Sequence, residues 1–173
     1  GGIICEPLAR LGAKVTGIDF APNNIKVAKI HSIKNKLKIK YIYKDIERSK
    51  IDEKFDLIIM FEVLEHLDDW KKTIKNIKKN LNKNGIIIIS TINRNLLSKL
   101  FAINVAENIL RWIPKGTHDY NKLIKPEELK LTLKKESFHF NNIKGIVFDP
   151  FNMEWKLSKN YSINYFCTAS LIS

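Results

Sequence analysis

The sequence predicts an α/β fold, a Rossmann-like, doubly wound and mostly parallel sheet with an antiparallel C-terminal edge. Three observations predict it. Over the first half of the chain, short apolar runs alternate with segments of helical spacing, the pattern of parallel strands joined by right-handed crossovers. Two of those runs, "KVTGID" and "IKYIYKD", end in the acids Asp19 and Asp45, and a third, "FDLIIMF", empties into Glu62. In open α/β sheets the carboxyl ends of the strands are where ligands bind, so polar groups belong there. After about Asn93 the alternation stops, and two late apolar segments read as an antiparallel edge.

Each element has its own signal. In "IICEPLARLGA" the apolar residues Ile4, Leu8 and Leu11 fall at helical spacing, and Gly12 is placed to end the helix. Lys14 to Asp19 forms a short strand, and Pro22 suits the first turn of a helix continuing through "NNIKVAKIHSIK". Ile39 to Asp45 is a second strand. "FDLIIMF" is apolar on both faces, as a central parallel strand should be. Trp70, Ile74, Ile77 and Leu81 share one helix face, with lysines covering the other. Asn84-Gly85 then turns the chain into "IIIISTI", a fourth buried strand. Beyond it, "LLSKLFAINVAENILRWI" reads as a helix, and "KPEELKLTLKKESF" as another, begun by Pro126 with two acids in its first turn. "FNNIKGIVFDP" and "YSINYFCTASLI" are two closing strands. Length and the lack of repeats or linkers make residues 1–173 a single domain, with a helical, lid-like insertion at about 94–125.

Composition excludes some classes of function. The net charge is +12, yet only four of the 30 basic residues are Arg, and aromatic residues do not interleave with them as on a stacking platform. No nucleic-acid partner is expected. An anionic membrane surface suits the excess of Lys better, together with the apolar segment "NLLSKLFAINVAENILRWIPK". No apolar run reaches the ~20 residues that cross a bilayer. Cys5 and Cys167 lie far apart without metal-like spacing, as free thiols of a reducing cytoplasm would. The expected location is cytoplasmic, peripheral on the inner membrane.

The candidate site gathers at the strand ends. Gly1 and Gly2 open the first helix and let a ligand approach the backbone closely. Asp19 follows Gly2 by 17 residues, near the spacing of about 20 at which an acid grips ribose hydroxyls. If a helical turn begins at Glu62, then Glu65 and His66 lie three and four residues on, upon one face. Two carboxylates and an imidazole could hold Mg²⁺ there; equally, acids in a first turn complement the helix dipole and line a pocket. His118, beside Asp119 in "PKGTHDY", is placed to act as a base or to cap a loop.

"GGII", "VTGID", "FDLIIMFEVLEHL" and "NGIIIISTINRN" resemble successive motifs of the class I S-adenosylmethionine-dependent methyltransferases. "AENILRWIPKGTHDYNKLIKPEEL" and "VFDPFNMEWKLSKNYSINYF" narrow the resemblance to the ubiquinone-biosynthesis O-methyltransferases, over essentially the whole chain. The resemblance implies methyl transfer from S-adenosylmethionine to a catechol hydroxyl of a polyprenylated phenol or quinol, beside other quinone-pathway enzymes. It implies that Asp19 binds the cofactor ribose, that Gly1 and Gly2 are the tail of the glycine-rich loop, and that Phe61 lines the cofactor site. It assigns Glu62, Glu65 and His66 to a divalent metal, usually Mg²⁺. Glu62, and His118 by its own residue type and neighbour, are the catalytic candidates. The family's "D-x-G-C-G" strand and helical lead-in have no counterpart before Gly1, so the sequence predicts a sheet with its first strand missing and half of the cofactor pocket absent. The alternatives are a truncated, inactive remnant of such an enzyme and another class I small-molecule methyltransferase.

Overall fold

Helical and extended segments follow one another as the apolar spacing directs. They do so in a computed structural model that describes residues 2–100, 119–149 and 152–172. The chain divides into two units, Gly1–Ile51 and Asp52–Ser173.

The first unit runs α1 (Cys5–Arg10), β1 (Val15–Asp19), α2 (Pro22–Lys34) and β2 (Ile39–Tyr43). β1 and β2 pair in parallel from Val15 opposite Ile39 to Asp19 opposite Tyr43. Pro22 stands in the first turn of α2, where its missing N–H costs nothing. Gly12, at φ +91°, ends α1. The core is small: Ile25, Ala28 and Tyr41, with Cys5 and Ile39 against them. Gly17 makes room for it, since a Cβ there would lie 2.8 Å from two ring carbons of Tyr41 and 2.9 Å from Cys5 Sγ. The apolar stripe of α1 is only partly used, for Ile4 and Leu11 remain exposed.

The second unit holds β3 (Phe55–Phe61), α3 (Trp70–Ile77), β4 (Leu81–Ile92), the short α4 (Leu96–Ser98), α5 (Pro126–Lys135), β5 (Phe138–Asp149), β6 (Glu154–Ser158) and β7 (Asn164–Leu171). Its sheet has the order β3-β4-β7-β5-β6. β3 and β4 are parallel, whereas β4–β7, β7–β5 and β5–β6 are antiparallel. The class read from the sequence therefore stands, with parallel strands leading to an antiparallel C-terminal edge. Leu64, Ile74, Ile87, Ile89, Leu129 and Leu133 are among this unit's fully buried side chains. The Tyr165 hydroxyl donates to the Ile124 carbonyl at 3.0 Å.

Several expectations change in detail. Leu81 leaves the helix: the chain tightens into a 3₁₀ turn at Lys78–Asn80, and Leu81 opens β4 opposite Phe55. The next pair is Leu57 with Ile86, so the Asn84-Gly85 turn is a bulge inside the strand, with Asn84 at φ +62°. β3 is less buried than a central strand, Leu57 being 40% exposed; among the described residues it pairs with β4 alone. The C-terminal edge has three strands rather than two, because β6 was unexpected. Of the helix read over 96–113, the described residues contain α4, and the rest of that segment and most of the lid-like insertion lie outside them.

Candidate active site

β3 ends at Phe61, and Glu62 takes the left-handed conformation at φ +50°. A residue with a Cβ adopts it at a cost of order 1 kcal/mol. Ser90, at the end of β4, holds it there. The Glu62 N–H donates to the Ser90 carbonyl at 3.1 Å and to Ser90 Oγ at 3.2 Å, and the Ser90 hydroxyl donates to Glu62 Oε1 at 2.8 Å. A single 3₁₀ turn, Leu64–His66, follows, anchored by the fully buried Leu64.

That turn points Glu65 inward, leaving it 3% exposed. Its Oε2 accepts from the Thr91 hydroxyl at 2.9 Å, while Oε1 meets no N–H or O–H donor. Burial first, and then the negative charge of Glu62, push the Glu65 carboxyl up to about 8. At neutral pH it therefore carries a proton, which it donates to the Glu62 carboxylate. The pair is two acids around one proton, one exposed and one enclosed.

This corrects the expectation that Glu62, Glu65 and His66 share a helix face. Glu62 precedes the helical turn and has opposite backbone handedness, so spacings of three and four no longer align the three side chains. Among the described residues no three His, Cys, Asp or Glu groups converge to hold a metal ion. The structure brings Glu62 and Glu65 together, and His66 does not join them as a third ligand. Phe61, half-buried, packs edge-on against Phe166 with ring centroids 4.9 Å apart. Beyond β4 a cleft of about 680 Å³ is lined by Asn93, Arg94, Asn95, Tyr120 and Lys125, among others. Arg94 is fixed on its wall by Glu128 and by the Asn121 carbonyl.

In the first unit Asp19 closes β1. Its Oδ1 accepts from the Ala21 N–H at 2.8 Å and its Oδ2 from the Asn24 amide at 3.0 Å, which holds the carboxylate while leaving a lone pair on each oxygen for a diol. Gly2, at φ +85°, stands where a Cβ would come within 2.7 Å of the Tyr41 hydroxyl. Bare backbone is required at that point, as it is where a ligand approaches closely. The Asp19 carboxylate can thus accept from the two hydroxyls of a diol, while the space beside Gly2 is taken up by Tyr41 and Ala28. Gly1 and His118 lie outside the described residues. Sequence reasoning missed Ser90 and Thr91. Two hydroxyl residues interrupting an isoleucine run at its carboxyl end were the available signal.

Comparison with known proteins decides what this arrangement belongs to. A family model described as a methyltransferase domain matches residues 1–159, across both units. The ubiquinone biosynthesis O-methyltransferase of Pelagibacter ubique is 46% identical over 165 residues, covering 95% of this chain and 69% of that protein. The same-named protein of Rickettsia typhi is 45% identical, covering 96% and 68%. The chain belongs to the ubiquinone biosynthesis O-methyltransferase family. Solved structures extend the fold more widely. An S-adenosylmethionine-dependent methyltransferase from Clostridium acetobutylicum matches with a TM-score of 0.73 at 14% identity, covering 98% of this chain and 80% of that one. An N-methyltransferase from Bradyrhizobium japonicum, in complex with S-adenosyl-L-homocysteine, matches at 0.65 and 19%, covering 99% and 74%. In this member of the ubiquinone biosynthesis O-methyltransferases, the acids at the strand ends are thus set in an S-adenosylmethionine-dependent methyltransferase fold.

Proposed function

We propose that this chain transfers the methyl group of S-adenosylmethionine to a catechol hydroxyl of a polyprenylated ubiquinone precursor, either a polyprenyl-hydroxyphenol or a demethylubiquinol. The observation that carries this reading is the 46% identity spread over 95% of the chain. When bound, the cofactor supplies an electrophilic methyl on sulfur. The O–CH₃ bond forms as the S–CH₃ bond breaks, leaving S-adenosylhomocysteine, a methyl ether and one proton to remove. Asp19 holds the ribose diol, Gly1 and Gly2 admit the cofactor to the helix start, and Phe61 lines its place. His118 or Glu62 takes the phenol proton.

The test is methylation of a prenylated catechol by the intact protein, read as the mass gain of one methyl. Asp19→Ala should weaken S-adenosylhomocysteine binding by at least about tenfold in calorimetric titration, the loss of charge-assisted hydrogen bonds. An undiminished affinity would remove Asp19 from the role. His118→Ala and Glu62→Gln separate the two bases by which of them lowers kcat with KM unchanged.

Mg²⁺, which the resemblance adds, would enter at Glu62 and Glu65 only in exchange for the proton they share. Titration with Mn²⁺ followed by electron paramagnetic resonance is expected to show no tight site at neutral pH. No helix among the described residues is long and apolar enough to cross a membrane. We read the lysine excess as peripheral attachment to anionic lipid on the cytoplasmic side. Co-sedimentation with anionic vesicles at low salt checks this, and no partition would end the idea.

A further inference from the structure

β5 is longer than its partner β7. Residues up to Lys144 pair with β7, whereas Gly145 to Asp149 pair with β6 instead. β5 runs in the same direction as β4, since both are antiparallel to β7. The β5–β6 hairpin therefore projects past Asn164, which is opposite Ile92 at the end of β4. It overhangs the carboxyl ends of the strands, the side on which Glu62 and the cleft stand.

The hairpin is amphipathic. Ile146 is opposite Leu157 and Phe148 opposite Trp155, so these four side chains share one face. The rings of Phe148 and Trp155 lie 5.2 Å apart, tilted at 53°, yet Phe148 is 42% exposed, Trp155 67% and Leu157 71%. The pleat sets this face. Lys144 is opposite Phe166, Ser90 is opposite Phe166, and Phe61 is opposite Ser90, so Ile146 and Phe148 project on the same side of the sheet as the Phe61–Phe166 pair. Within the hairpin the charges lie on the opposite face, where Lys156 Nζ is held by Asp149 at 2.8 Å and Glu154 at 2.9 Å, while Lys144, two residues before Ile146, stands on the face of the strip at its inner end.

We propose that the strip Ile146, Phe148, Trp155 and Leu157 is the docking surface for the isoprenoid tail of the acceptor. The inference rests on the proposed function and deepens it. The four positions are uncharged and aromatic or branched, which suits an uncharged branched hydrocarbon. The strip lies on the same sheet face as the Phe61–Phe166 pair and projects beyond the carboxyl end of β4, the side on which the proposed function puts the aromatic head. A tail leaving the cleft along that face covers apolar surface that is otherwise wet, and the tail loses its own exposed surface in return.

The test uses the intact protein, two catechol acceptors with and without a prenyl tail, and the double variant Trp155→Ser with Leu157→Ser. KM for the tailed acceptor should rise by at least about tenfold, while the tailless acceptor and S-adenosylhomocysteine affinity stay unchanged. Trp155→Phe should retain the wild-type KM, and Lys156→Gln, on the other face, should do the same. Farnesol alone should alter tryptophan fluorescence in the wild type but not in Trp155→Phe. Equal losses for both acceptors would overturn the proposal. So would lost vesicle binding or lost self-association in the double variant with unchanged tailed KM, which would assign the strip to a bilayer or to a second copy. If the wild type methylates neither acceptor, the proposed function fails, and the farnesol measurement still decides the strip.

Discussion

Glu65 is a carboxyl group that the fold keeps neutral. It retains its proton up to about 8 in the folded chain, against an ordinary value of 4.5, because burial and the adjacent Glu62 charge both disfavour ionisation. Between those values the folded state binds a proton that the unfolded state has released. The contribution is therefore complete below about pH 4.5 and is lost as pH climbs towards 8, with a slope of at most ~1.4 kcal/mol per pH unit. Glu65→Gln keeps an acceptor for the Thr91 hydroxyl and a donor for Glu62 without titrating. Denaturation midpoints across pH 5–8 should fall in the wild type and stay flatter in the variant, with Gln the more stable at pH 8. Parallel slopes would contradict the shared proton. The acids at the strand ends were legible because residue type and position relative to an apolar run are local properties. The handedness of Glu62 was not, since it is imposed by Ser90, 28 residues away.

Among the elements, α2, α5 and the apolar strands could be read from sequence because each carries its own punctuation: Pro22, Pro126, Gly12 and runs of isoleucine. β6 could not. Glu154 to Leu157 are all exposed, so no core-facing stripe distinguishes the strand from a loop. What fixes the hairpin is a contact distant in sequence. A Cβ on Gly145 would lie 1.8 Å from the Asn160 carbonyl oxygen and 2.9 Å from Tyr161 Cα, so the connection between β6 and β7 crosses directly over that glycine. Ile146 N–H also donates to Asn164 Oδ1 at 3.0 Å, tying the start of β7 to the same place. Gly145→Ala must push backbone rather than a side chain, and overpacking of that kind costs typically 1–3 kcal/mol. Hydrogen exchange should show β6 amides losing protection in the variant while those of β4 and β7 keep theirs. Unchanged protection in β6 would mean that the crossing loop yields freely.

At the scale of the whole molecule, the two units differ in how much apolar side chain they enclose. The first has three buried hydrophobic residues at its centre, Ile25, Ala28 and Tyr41. The second encloses Leu64, Ile74, Ile87, Ile89, Leu129, Leu133 and Tyr165 at no exposure at all. This division was not readable from sequence, because every strand carries a similar apolar run and only packing reveals which runs are covered. Local opening is easiest where few buried contacts must be broken, so amides of β1 and β2 should exchange faster than those of β4 and β7. Asp19, the acid we propose for the cofactor ribose, and the bare backbone at Gly2 both belong to the unit with the smaller core. A ligand that binds only the folded form stabilises it by about 2.7 kcal/mol at a hundredfold excess over Kd. S-adenosylhomocysteine should therefore slow exchange in β1 and β2 far more than in β7, where the existing core already sets the rate. Equal slowing in both units, or none in the first, would place the adenosyl group away from Asp19.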